Sequence, residues 1–170
     1  MDPVALQPWF VLVHVLSVLA FVLLHGISAG VAFRLRFERE PARIRALLEL
    51  STASLGGATA ALLVILASGI VAGIVGGWWT SGRLWLWVSV ALFIGVGVAM
   101  SVIAVPHFDA VRRAVGLTTR GDRPGDAIPA AAPGEDDLAA LLASRRPAVS
   151  AAIGLGGLGV ITWLMQFKPW

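Results

Sequence analysis

HVLSVLAFVLLHGISAGVAFRLR, residues 14–36, sets two histidines, His14 and His25, in an apolar run that stops at Arg34 and Arg36. The run starts upstream, and residues 9–33 contain no Asp, Glu, Lys or Arg. A helix needs about 20 such residues to cross roughly 30 Å of hydrocarbon. Stretches 55–78, 84–105 and 148–167 are similarly apolar, and nearly every charge lies between the four. The chain is 58% hydrophobic and 14% charged, with mean hydropathy +0.85, too little polar surface to cover a soluble domain of 170 residues. The pattern predicts an all-α membrane protein, a four-transmembrane-helix bundle forming a single domain over residues 1–170.

A cleaved signal peptide is the alternative for the first stretch. Asp2 precedes it without any Lys or Arg, the run is too long, and Arg34, Arg36 and Arg39 follow like a stop-transfer signal. Only Ser28-Ala29-Gly30 imitates a cleavage site. The chain has no cysteine, which excludes disulfides and thiolate metal sites. Its net charge of +3 comes from arginines placed between spans, where they set topology and give no footprint for nucleic acid.

Two signals orient the spans. Arg34, Arg36, Arg39, Arg43 and Arg45 follow the first, and Arg112, Arg113, Arg120, Arg123, Arg145 and Arg146 lie between the third and fourth. Only Arg83 and Lys168 fall on the opposite side. Because Lys and Arg stay cytoplasmic, both termini are expected outside a bacterial cytoplasmic membrane. All seven tryptophans fall at the outer ends, at the headgroup level that indoles prefer.

The short outer connection GGWWTSGR predicts that spans two and three form an antiparallel pair. On the cytoplasmic side two short amphipathic helices are expected. The first starts at Pro41, with Ile44, Leu47 and Leu48 on one face; the second is EDDLAALLASRR, with Leu138, Leu141 and Leu142. The second cytoplasmic connection covers residues 106–147. Its first part extends span three to a cap at Gly116, and residues 118–134 read as a flexible Pro/Gly/Ala linker. Small residues recur at four-residue spacing in every span, including Gly26/Gly30, Gly69/Gly73/Gly77, Ala91/Gly95/Ala99 and Ala148/Ala152/Gly156. Such stripes let helices approach closely in lipid, within one bundle or between two copies.

The chemistry centres on the histidines. His14 and His25 are about three turns apart on nearly one helix face, some 16 Å along the axis. An intramembrane imidazole either bonds across helices or ligates a metal such as haem iron. The other available ligands are His107, beyond the inner end of span three, and Met100 near the depth of His25; Met165 lies near that of His14. No Asp, Glu or Lys lies in any span, which argues against proton-coupled transport. GLGGLG, residues 154–159, matches a dinucleotide glycine pattern but sits inside an apolar span, so helix packing is the better reading. No nucleophile elbow, zinc-protease helix or phosphate loop occurs, and no catalytic residue is assigned. The segment RLRFERE-PARIRALL offers Arg34, Arg36, Arg39, Arg43 and Arg45 to anionic lipid headgroups; its plainer reading is a topology anchor.

The first span with RLRFEREPARIRALLELS, the glycine-rich GIVAGIVGGWW and the closing WLMQFKPW together resemble a group of small bacterial membrane proteins sharing a domain of unknown function. That resemblance implies a four-helix inner-membrane protein with no assigned activity. VHVLSVLAFVLLHG, with His14 and His25, is more loosely similar to copper-resistance-D-type and haem-associated membrane proteins. The expected function is a non-enzymatic scaffold or accessory subunit with a lipid, protein or homo-oligomeric partner. The alternative is a haem b electron carrier using His25, with His14, His107 or Met100.

Overall fold

A computed structural model of the chain describes residues 3–80, 82–119, 121–123 and 134–169. They form helices α1 (Pro3–Leu35), α2 (Pro41–Val75), α3 (Leu84–Ala114), α4 (Glu135–Leu142) and α5 (Arg146–Phe167). The helices α1, α2, α3 and α5 are long and apolar enough to cross a membrane. Glycine supplies the stops. Gly77, at φ 63°, ends α2 with its N–H on the Ile74 carbonyl (3.0 Å) and the Trp78 N–H on that of Gly73 (2.8 Å). Gly116, at φ 74°, closes α3 the same way through the carbonyls of Arg113 and Arg112. Both are Schellman caps, in which the left-handed residue favours glycine.

The helices associate as two antiparallel pairs, α1 with α2 and α3 with α5; a smaller α1–α5 contact joins them. Two clusters close the bundle. At the arginine-rich end Val31 and Leu35 of α1 meet Ile44 and Leu48 of α2, Val111 of α3, Val115 and Leu142 of α4. At the other end Trp85, Leu86 and Leu164 pack with Trp78 and Trp79. The Lys168 ammonium lies 5.2 Å from the Trp78 ring, a cation–π contact that ties the end of α5 to the same cluster.

Three expectations change. Spans two and three are not a packed pair, because α2 and α3 scarcely approach one another as backbones. At the tryptophan end, indoles stand between them. Trp79 sits over Gly73 and donates its Nε1–H to the Ile70 carbonyl (3.2 Å), while Trp78 lies over Gly76, so bulky rings fill the corner between the helices. Pro41 begins no separate surface helix; α2 runs unbroken from it for 35 residues. Within that run the Thr52 hydroxyl donates to the Leu48 carbonyl (2.9 Å). The small-residue stripes are also only partly used. Gly69, Gly73, Gly154 and Gly157 face neighbouring side chains, whereas Gly26, Gly30, Gly95 and Gly156 face open space. Of the linker, residues 120 and 124–133 lie outside the described residues; Thr119 and Asp122 form a turn in which the Asp122 carboxylate accepts the Thr119 N–H (2.6 Å) and hydroxyl (3.0 Å).

Candidate functional site

The candidate ligands separate into three surroundings. His14 faces α2. Its Nδ1 lies 2.9 Å from the Ile65 carbonyl and 3.4 Å from the Ser68 hydroxyl. A carbonyl only accepts, so Nδ1 carries the proton and donates it. Gly69 makes room for the ring: a Cβ there would stand 3.0 Å from His14 Cε1. Below this contact Ser28 and Ser54 share a 2.7 Å hydrogen bond, and both hydroxyls reach the Ser51 carbonyl. The α1–α2 pair is thus held by polar bonds between apolar helices.

His25 faces the other pair. Its ring stacks on Phe21, with centroids 5.3 Å apart and planes 6° from parallel. Across the bundle the position that a Cβ would occupy on Gly154 lies 2.8 Å from the Met100 sulfur and 3.9 Å from His25 Nε2. Helices α1, α3 and α5 therefore bring an imidazole nitrogen and a thioether sulfur to one small residue. Among the described residues no hydrogen bond reaches this imidazole. An imidazole nitrogen and a thioether sulfur are both donor types that haem iron accepts.

His107 and His14 are not part of that meeting. His107 lies seven residues past Met100 on α3, about 10 Å along the axis, buried edge-on against Phe108. His14 is about 16 Å up α1 and engaged by α2. Met165 belongs to the tryptophan cluster. Among the described residues no three His, Asp or Glu side chains gather as a metal site would need.

Most arginines of the first connection already have partners. Arg43 pairs with Glu40 (2.7 Å) and Arg34 with Glu38 (3.9 Å), while Arg39 donates to the Arg36 and Glu38 carbonyls. Arg45 turns inward, donating Nε–H to the Val115 carbonyl (2.6 Å) at the negative end of the α3 dipole. Arg112 makes the reciprocal link, from α3 to the Thr52 hydroxyl of α2 (2.9 Å). The Glu38 carboxylate accepts the backbone N–H groups of Glu40 and Arg39; these bonds, aided by Arg43 and Arg34, hold it below the usual carboxylate range.

Sequence reasoning named His25 and Met100 among its candidate ligands and did not name Gly154, which belongs to the GLGGLG segment read as packing. The available signal was a glycine on α5 at the depth of Met100. These features define a multi-pass α-helical membrane protein, an all-α four-helix bundle. Compared with known proteins, the chain matches no family model, no curated protein and no solved structure.

Proposed function

We propose that this protein is a small scaffold or accessory subunit of a bacterial cytoplasmic membrane. Its tryptophan end and both termini lie outside, and its arginine-rich end faces the cytoplasm. One observation carries the reading: the arginine-rich end is built as a fixed platform. Four helices and Val115 contribute to one core there, and Arg45 and Arg112 cross-link α2 to α3 beneath it. Arg34 and Arg43 stand above that core with side chains 63% and 67% exposed, the geometry of a docking face. Purification from native membranes after crosslinking tests it. The expected result is a stoichiometric partner protein, lost in Arg34→Glu/Arg43→Glu and kept in His25→Ala. A monomer with no partner overturns the reading. Because the chain has no cysteine, single-cysteine labelling checks the orientation without background; labelling of residues 34–45 from outside overturns it.

The His25–Met100 meeting favours a second reading, a haem b electron carrier. In that reading His25 Nε2 and the Met100 sulfur would hold the iron, and haem would supply the one-electron chemistry. Phe21, stacked on the imidazole, would orient that ring. Protein purified from haem-replete cells should then show a Soret band that disappears in His25→Ala. Colourless protein excludes the carrier.

A further inference from the structure

The arginines of the second connection differ from those of the first. Arg145 and Arg146 are exposed, and neither guanidinium forms an ion pair within the described residues. Among the described residues neither the acids near them in sequence, Asp136 and Asp137 on α4, nor Asp109 on α3 forms an ion pair. Both arginines line a groove of about 560 Å³ between α3 and α5, at the level where the apolar part of α5 begins. Its remaining wall is mainly apolar: Val102, Ile103 and Pro106 from α3 and Val149 from α5. Val102 is 68% and Val149 47% exposed, so the wall opens to whatever surrounds the bundle.

Two unpaired cations above an apolar trough, between two spanning helices, complement one kind of molecule. Its anionic head must sit at the membrane surface and its hydrocarbon must run down the helix face. We infer that this groove binds one anionic phospholipid, with the phosphate on Arg145 and Arg146 and an acyl chain along Val102, Ile103 and Val149. A basic pocket between helices at the arginine-rich face has the charge and depth for such a headgroup. The first connection lacks this combination, since four of its five arginines are already bonded to carboxylates or carbonyls. The inference rests on the membrane placement proposed above but not on the scaffold role.

Native mass spectrometry of the full chain in detergent, titrated with phosphatidylglycerol or phosphatidylcholine, tests the site. One phosphatidylglycerol should be retained in preference to phosphatidylcholine. Arg145→Gln/Arg146→Gln should weaken its retention roughly 10- to 30-fold, as expected for two surface cations. Val149→Trp, which fills the trough and keeps both charges, should also lower retention. Arg34→Gln/Arg36→Gln should leave it within about twofold of the parent, because the first connection lies outside the groove. Millimolar inorganic phosphate should not displace the lipid. Equal retention of the two lipids by the parent protein overturns the inference without any variant. So does unchanged retention in Arg145→Gln/Arg146→Gln, an equal loss in Arg34→Gln/Arg36→Gln, or no effect of Val149→Trp. Displacement by inorganic phosphate shows a free-anion site and overturns the lipid assignment. Loss of lipid in Arg145→Gln/Arg146→Gln with the crosslinked partner retained separates this site from the docking face, and absence of any partner from the parent protein that still retains the lipid counts only against the scaffold.

Discussion

The two helix pairs solve the same problem by different means. Between α1 and α2, side chains bond across the interface: His14 to the Ile65 carbonyl and Ser28 to Ser54. Between α3 and α5 the contacts are steric, with Met100 seated on Gly154 and Val96 on Gly157. Lipid tails are as apolar as leucine, so hydrophobic burial separates neither pair from its surroundings. What remains is close packing and hydrogen bonding: both pairs seat side chains on glycine, Leu24 on Gly57 in the first, and among the described residues the α1–α2 pair adds side-chain hydrogen bonds to it. The glycine-built pair should therefore be sensitive to volume and the polar pair to loss of single donors.

The strongest way to break that contrast is Gly157→Ala. A Cβ there would collide with the side chain of Val96, whose β-branching leaves it little rotamer freedom. Overpacking of this kind costs about 1–3 kcal/mol, read as unfolding in a detergent titration. Gly156→Ala meets open space and serves as the silent control. Next is Arg45→Met, which keeps the stem but removes a charged donor from the Val115 carbonyl. Hydrogen bonds to charged groups contribute about 1.5–3 kcal/mol, discounted here toward the lower figure because Arg45 is partly solvated. The same titration should show the loss, with crosslinks between α2 and α3 reduced.

His14→Ala and Ser54→Ala should be milder, each near the 0.6 kcal/mol average for interhelical bonds in membranes and below about 1.7. Gly69→Ala should mimic His14→Ala by pressing on its ring. If the two together cost no more than either alone, the shared contact is confirmed; full additivity would count against it.

The smallest effect is one of pH. Glu38 is depressed in the folded protein, so its stabilisation is complete above the ordinary glutamate value of about 4.3. It declines as pH falls through the lower folded value. Glu38→Gln should flatten that acid limb while leaving stability above pH about 6 nearly level in both proteins. An identical acid limb in the variant would assign the loss to other carboxylates, with Asp122, similarly bonded to Thr119, the next to test.

Some of this was legible from local chemistry. The four long helices follow from apolar runs bounded by arginine, because an unsatisfied backbone is prohibitively costly in hydrocarbon. The cap at Gly116 follows because only glycine enters the left-handed region cheaply. The second short helix also forms, over Glu135–Leu142, and the structure buries Leu142 of its apolar edge in the core at the arginine-rich end. Harder to read was which glycines would be used. Gly26 and Gly30 have the same spacing as Gly69 and Gly73, yet only the latter meet a ring. Spacing marks where close approach is allowed and does not name the partner.

The sequence by itself determined that this is a four-helix membrane protein with arginines gathered at one end and indoles at the other. Those properties depend on length, hydropathy and side-chain type, each of which acts residue by residue. Tertiary structure alone decided that α1 pairs with α2 and α3 with α5, that His14 bonds to a carbonyl, and that His25 meets Met100 over Gly154. It also decided which arginines are tied down and which stand free. Such outcomes depend on the volumes of residues far apart in the chain, above all the two indoles that fill the corner between α2 and α3.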